Sequence, residues 1–180
     1  MKKVILLLSF AALAVSAVAQ KKTTTSATVA FDATTDKDAL PKAENKTVIG
    51  SFDTQSGAVA FEAAVSNFSF SNPKMQEHFN SNMWLNSAQF PKFTFTGSVD
   101  KLKKVKLDKN GTYAVSVKGT LTVKGIAKDI TIPGSITVNN GALNVSASFT
   151  VALADYSISG APIDAGKVSK EPKISVSADF

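Results

Sequence analysis

Few side chains in this 180-residue sequence are suited to catalysis or metal binding. His78 is the only histidine, and the chain contains neither cysteine nor arginine. Without cysteine there is no thiol nucleophile and no cysteine zinc site, and a single histidine supplies no histidine pair for a metal ion. The missing arginine also removes the planar guanidinium that commonly recognises phosphate or carboxylate groups. The composition therefore argues against an enzyme and predicts no metal site and no cofactor.

Three polar residues remain as candidates for a site. His78 falls within a predicted helix, where it could contact a ligand or, more simply, form a hydrogen bond to a neighbouring strand or loop. Asp155 and Tyr156 are adjacent and could place an acid and a phenol in one site. The simpler interpretation is that Tyr156 packs its ring and Asp155 caps a turn.

Aromatic residues are concentrated in the middle third of the sequence. Such residues fill the core of a folded sheet, but they also line a cavity that holds a hydrocarbon ligand. The sequence pattern leaves both a filled and a hollow interior open. The residues in question are Phe61, Phe68, Phe70, Phe79, Trp84, Phe90, Phe93, Phe95 and Phe149.

The N-terminus has the pattern of a cleavable signal peptide. Lys2 and Lys3 precede an apolar run over residues 4–15, and Ala17 and Ala19 form a small-residue cleavage site. The run is shorter than the roughly 20 residues that a membrane-spanning helix needs. The pattern predicts a signal peptide over residues 1–19, followed by one exported domain over residues 20–180 with no stable membrane span.

Lysine supplies all the basic charge of the predicted mature chain. Its 18 lysines against 14 acidic residues give a net charge of +4 once Lys2 and Lys3 are removed. The densest group lies over residues 101–109, next to a predicted turn, and is better explained as a solvated edge than as a nucleic-acid site. No nucleic-acid partner is therefore predicted.

Alternation of apolar and polar residues predicts an all-β domain of about eight strands. Residues 27–31, 47–52, 58–65, 93–99, 112–123, 130–138, 143–153 and 174–180 follow this pattern. Residues 23–26 are interpreted as a mobile arm, residues 36–45 as a loop, and Pro133 with Gly134 as an interruption. Strands at this spacing, each with one apolar face, indicate a closed up-and-down barrel or a sandwich.

One helix is predicted near residues 73–83. Asn72 is suited to cap it, Pro73 suits its first position, and Met75, Phe79 and Met83 recur at helical spacing. The two methionines would suit a flexible lid over the mouth of the barrel.

These elements carry motifs that resemble the YceI-like, polyisoprenoid-binding family. The run MQEHFNSNMWLNSAQFPKFTFTGSV is similar to the family's helix with a histidine, aromatic-proline pair and Thr-Phe strand. The run GTYAVSVKGTLTVKGIAKDITIP resembles its long strand, turn and return strand, and FTVALADYSI resembles a late strand. The resemblance covers most of residues 27–158.

The resemblance implies an extended lipocalin-like barrel whose interior holds an isoprenoid or other long-chain amphipathic lipid, usually in the bacterial periplasm. The alternative is a filled barrel that serves as a structural or interaction module of the cell envelope. The sequence does not fix the oligomeric state and leaves a homodimer open. The predicted ligand-binding residues are Phe61, Phe68, Phe70, Met75, His78, Phe79, Met83, Trp84, Phe93, Phe95 and Phe149.

Overall fold

The predicted alternation becomes nine antiparallel strands in the computed structural model, which describes residues 21–180. Two helices, α1 (Pro73–Asn80) and the short α2 (Ala161–Asp164), lie in the connections. The strands are β1 (Lys21–Asp32), β2 (Lys42–Asp53), β3 (Ala58–Ala64), β4 (Ser69–Phe70), β5 (Lys92–Asp100), β6 (Gly111–Val123), β7 (Ile126–Asn139), β8 (Ala142–Thr150) and β9 (Lys173–Asp179).

Eight of these strands form a closed barrel. Apart from the two-residue β4, each strand pairs with the next along the chain, and β9 returns to pair with β1. In the closing pair Thr28 lies opposite Ser177 and Asp32 lies opposite Lys173. Strand β4 adds a short pairing at the start of β2. The predicted all-β, up-and-down barrel of about eight strands is therefore confirmed.

The beginning of the chain corrects two sequence predictions. Residues 23–26, interpreted as a mobile arm, belong to β1, which pairs with β2 from Lys21 opposite Asp53 onward. Strand β2 already begins at Lys42, so the predicted loop over residues 36–45 is shorter than expected. The alternation pattern missed both strand segments because their side chains are mostly polar. Their backbone groups still pair in the sheet, since the hydrogen bonds between strands do not depend on side-chain type.

Helix α1 begins as predicted and ends earlier. The Asn72 side chain accepts a hydrogen bond of 2.9 Å from the backbone N–H of Lys74, and Pro73 occupies the first turn. Ser81 has an extended backbone, so the helix stops at Asn80 instead of reaching residue 83. Met83, four positions after Phe79, therefore lies outside the helix and does not share a helix face with Phe79.

Strand β7 also differs from its prediction. It runs without interruption through Pro133, which lies opposite Ser116 of β6. Strand β8 pairs with β7 only from Gly134 onward, so Pro133 lies where that ladder has ended and its missing N–H costs no ladder hydrogen bond there.

Buried residues form two clusters, one toward each end of the barrel. The first lies at the end where α1, the β1–β2 loop and the β8–β9 connection meet, which we call the capped end. Phe79 of α1 anchors it, with its ring centroid 6.0 Å from that of Phe31 and 5.7 Å from that of Phe68. The second cluster includes Phe52, Ile136 and further residues at the opposite end, which we call the closed end.

No helix among residues 21–180 is long and apolar enough to cross a membrane. The predicted signal peptide lies outside the described residues.

Candidate functional site

A long cavity runs through the interior between the two buried clusters. Its volume, measured as the space open to the centres of water-sized spheres, is about 170 Å³. On that measure one water molecule needs only about 10–15 Å³. The cavity therefore has room for a ligand of many atoms.

The cavity has the proportions of a tube for a single chain. On β6 it is lined from Val115 to Val123, which corresponds to about 26 Å along the strand and about 20 Å along the axis of a barrel with tilted strands. Dividing the volume by this length gives a mean cross-section of about 8 Å² for the centres of water-sized spheres. One hydrocarbon chain fits such a tube, whereas two side by side do not.

The lining is almost entirely hydrocarbon. Apart from the Trp84 indole, Thr94, Ser146 and Tyr156 are the lining residues whose side chains carry polar atoms. The Ser146 hydroxyl already lies 2.9 Å from the Ser135 hydroxyl and can satisfy its hydrogen bonding there. Burial raises the pKa of the Tyr156 phenol, and the neighbouring Asp155 carboxylate raises it further. The wall thus offers dispersion contacts and very little charge.

Glycine residues on β5 and β6 explain why the inward-facing aromatic rings near them do not block the barrel axis. Gly97 lies directly opposite Gly119, and both share the inward face with Phe95. A Cβ built on Gly119 would lie 2.7 Å from Cζ of Phe95 and 2.3 Å from the carbonyl oxygen of Thr96. The two bare backbones therefore let the Phe95 ring lie along the wall instead of across the barrel.

The same arrangement recurs between β2 and β3. Gly50 lies opposite Phe61, and a Cβ on Gly50 would lie 2.7 Å from Cε1 of that ring. Phe61, Phe95 and Phe149 are only partly buried although they face the interior, because one side of each ring borders the cavity. The structure thus has a hollow interior where the sequence allowed a filled one.

Seven of the eleven residues predicted to bind a ligand line this cavity. Phe79 and Trp84 do so at the capped end, and the others lie on or next to the barrel wall. The seven are Phe61, Phe68, Phe79, Trp84, Phe93, Phe95 and Phe149. Ligand contact by these residues stays a prediction.

The other four predicted residues lie outside the cavity lining. Phe70 packs behind it, with its ring centroid 4.9 Å from that of Phe79. Met75 is half-buried and His78 is exposed on α1. Met83 is 85% exposed. Met83 does not share a helix face with Phe79, because the helix ends before it. Neither Met75 nor Met83 lines the cavity, and their role as a lid over the barrel mouth stays a prediction.

Sequence reasoning missed the aliphatic half of the wall. Val29, Leu121, Val151 and Ile174 line the cavity on four different strands or connections. Their alternation marked them as inward-facing, but alternation does not distinguish a residue that packs against the core from one that borders a void.

The charged groups of residues 21–180 lie away from this wall. Their two ion pairs, Lys46 with Glu44 at 3.0 Å and Lys92 with Glu62 at 2.7 Å, are both solvent-exposed. The same residues contain no group of three or more histidine, cysteine, aspartate or glutamate side chains that could hold a metal ion. Asp155 is exposed on a 3₁₀ turn at Leu153–Tyr156, while Tyr156 is buried as predicted.

Several solved structures share this fold. A polyisoprenoid-binding domain from Saccharophagus degradans, described as implicated in plant cell wall breakdown, has a TM-score of 0.73 at 15% identity, covering 88% of this chain and 95% of its own. BcnA of Burkholderia cenocepacia has a TM-score of 0.70 at 16% identity, covering 86% and 96%. The YceI protein of Campylobacter jejuni has a TM-score of 0.54 at 19% identity, covering 74% and 80%.

No curated protein matches the sequence. The family model of the YceI-like domain matches residues 9–180. Because that match spans nearly the whole chain and the barrel agrees with it, this protein belongs to the YceI-like domain family.

Proposed function

We propose that this protein binds one isoprenoid or other long-chain amphipathic lipid inside the barrel and acts as a carrier or sequestering protein, not as an enzyme. The observation that carries the proposal is the hydrocarbon-lined tube of about 170 Å³. The structural relative from Saccharophagus degradans is described as polyisoprenoid-binding, which supports the same ligand class.

Hydrophobic burial is sufficient to hold such a ligand. Each methylene removed from water contributes about 0.8 kcal/mol, so ten carbons in the tube contribute about 8 kcal/mol. Part of this is lost to the entropy of association and of ordering the chain. The rings of Phe61 and Phe95 are held along the wall by close contact with glycine backbones, which limits the further ordering that binding requires.

Lipid extraction and direct binding test the proposal. Purified protein is extracted with organic solvent and the extract is analysed by mass spectrometry. The delipidated protein is then titrated with a long-chain polyprenol while the emission of Trp84, the chain's only tryptophan and a lining residue, is followed. We expect close to one lipid per protein in the extract and saturable binding in the titration.

Two neighbouring substitutions provide a matched control. Ala147 lines the cavity and is only partly buried, so Ala147→Phe should project into the void and weaken polyprenol binding at least tenfold. Ser148 is exposed on the opposite face of the same strand, so Ser148→Phe should leave binding unchanged. A wild-type protein that yields no lipid and binds no polyprenol would contradict the proposal and favour a structural role in the cell envelope.

We further propose that the protein acts in the periplasm after removal of residues 1–19, on the basis of the N-terminal sequence pattern. Intact-mass measurement on protein from the periplasmic fraction tests this. The expected mass lacks the first 19 residues, and a periplasmic species that retains Met1 would be incompatible with cleavage.

A further inference from the structure

The segment after α1 passes from solvent to the cavity within three residues. Met83 is 85% exposed, Trp84 is half-buried and lines the cavity, and Leu85 is 3% exposed and also lines it. The Trp84 ring lies close to the β8–β9 connection, because a Cβ built on Gly160 would be 3.8 Å from its Cζ3. Three consecutive apolar side chains therefore join the protein surface to the cavity wall at this point.

The surrounding segment carries no charge. No lysine, aspartate or glutamate occurs in residues 79–91, although charged residues make up 19% of the whole chain. We call this segment the Met83 loop. The capped end also presents Leu40, which is 46% exposed in the β1–β2 loop. Of the three large hydrophobic side chains that are exposed within residues 21–180, only Ile49 lies on the barrel wall instead.

An uncharged surface with an exposed methionine at this position has a physical use if the cavity holds a lipid. A chain that left a membrane through water would expose its methylenes on the way, at a free-energy cost that grows with each methylene. Direct contact between a bilayer and this end of the barrel would avoid that exposure. Charged side chains would resist entry into the interfacial region of the bilayer, whereas methionine and tryptophan side chains enter it readily.

We propose that the Met83 loop docks the capped end of the barrel on a lipid bilayer and inserts Met83 among the lipids, so that a chain passes beside Trp84 into the cavity. This inference rests on the proposed lipid-binding function. The partner is the bilayer surface itself, and the docking contact is mainly hydrophobic.

The opposite end of the molecule offers a competing surface. Residues 101–109 carry five lysines and one aspartate, and the five lysines are all exposed. Such a cluster would favour anionic lipids through long-range electrostatics and would be weakened by salt. It lies at the closed end, where Val105 belongs to the second buried cluster, so docking there would turn the Met83 loop away from the membrane.

Vesicle binding distinguishes these two orientations. Wild-type protein is sedimented with phosphatidylcholine vesicles and with vesicles that also contain phosphatidylglycerol, at low and high salt. Met83→Ser is the test variant, and Ile49→Ser, 52% exposed on the outer wall in the wild type, is its matched control. A triple change of Lys103, Lys104 and Lys106 to glutamine tests the competing surface. Polyprenol binding is measured for every variant in the absence of vesicles.

We expect the wild type to bind phosphatidylcholine vesicles with little dependence on salt. Because burial of a methionine side chain corresponds to about a tenfold or larger change in an equilibrium constant, Met83→Ser should weaken vesicle binding about tenfold. Ile49→Ser and the lysine variant should bind vesicles like the wild type, and all variants should bind polyprenol equally.

Two results would overturn the inference and leave the proposed function intact. One is a wild type that binds polyprenol but does not sediment with either kind of vesicle. The other is sedimentation only with phosphatidylglycerol, abolished by the lysine changes and unaffected by Met83→Ser. A wild type that binds no polyprenol would overturn the proposed function and the docking inference together.

Discussion

Replacing Phe95 with alanine measures how far its ring is packed in the lipid-free protein. In a fully packed core, Phe→Ala costs about 3–5 kcal/mol of unfolding free energy. Here one face of the ring lies on Gly97 and Gly119, and the other borders the cavity. Since only about half of the usual contacts exist to be lost, we expect the substitution to cost about 1.5–2.5 kcal/mol.

Leu143 provides the comparison within the same barrel. It is 3% exposed in the second buried cluster and does not line the cavity. Leu143→Ala should therefore have the usual cost of a packed leucine, about 2–5 kcal/mol. The larger side chain should then cost no more to remove than the smaller one, whereas a fully packed phenylalanine usually costs at least as much as a packed leucine.

The two substitutions should differ in the opposite way in their effect on ligand binding: Phe95→Ala should weaken binding, and Leu143→Ala should not. If a quarter to a third of the Phe95 surface, about 50 Å², faces the lipid chain, its loss removes about 1.2 kcal/mol of binding free energy, close to a tenfold change in Kd. Leu143→Ala should leave Kd for a polyprenol unchanged in protein that remains folded, since Leu143 does not border the cavity.

Urea unfolding of the delipidated proteins, followed by circular dichroism, gives the two stabilities, and Trp84 fluorescence gives Kd. A loss of about 3–5 kcal/mol for Phe95→Ala without ligand would refute the reasoning, because it would mean that the ring is packed on both faces.

Three further substitutions test individual features of the barrel. Gly119→Ala should destabilise the protein by about 1–3 kcal/mol, because the new Cβ collides with the backbone of Thr96 and Gly97 on the paired strand. It should also weaken polyprenol binding, because the same Cβ displaces the Phe95 ring from the wall; urea unfolding and Trp84 fluorescence check both effects. Asn45→Ala should cost about 1–3 kcal/mol in urea unfolding, because Asn45 is fully buried and its side chain is bonded to the backbone. Hydrogen bonds from the Thr34 side chain and backbone lower the pKa of Asp32 in the folded protein from its ordinary 3.8. These hydrogen bonds therefore stabilise the fold above pH 3.8, and this stabilisation is lost as the pH falls through the lowered pKa of the folded state. The melting temperature should therefore drop in acid, and Asp32→Asn should make that drop shallower.

The local order of residues was enough to predict most elements. Period-two alternation depends only on neighbours along the chain, so it located the long strands and their inward faces. Asn72 and Pro73 predicted the start of α1 for the same reason, since a cap acts within one turn. Residues 23–26 were not predicted as a strand, because their place in β1 comes from pairing with β2, about 27 residues farther along the chain.

Residue spacing also failed to predict where α1 ends and where Met83 lies. The methionines and Phe79 have helical spacing, but the chain leaves the helix at Ser81 and then packs Trp84 against the β8–β9 connection. Spacing alone gives no information on where such a tertiary contact ends a helix.

The choice between a filled and a hollow interior was decided by tertiary structure. The sequence shows which rings face inward, and a filled and a hollow barrel need the same residue types. What leaves the axis free is cross-strand register, which sets Gly97 opposite Gly119 and Gly50 opposite Phe61. Because register joins residues that are distant in the sequence, only the folded barrel shows that the rings lie along the wall and leave a tube for a ligand.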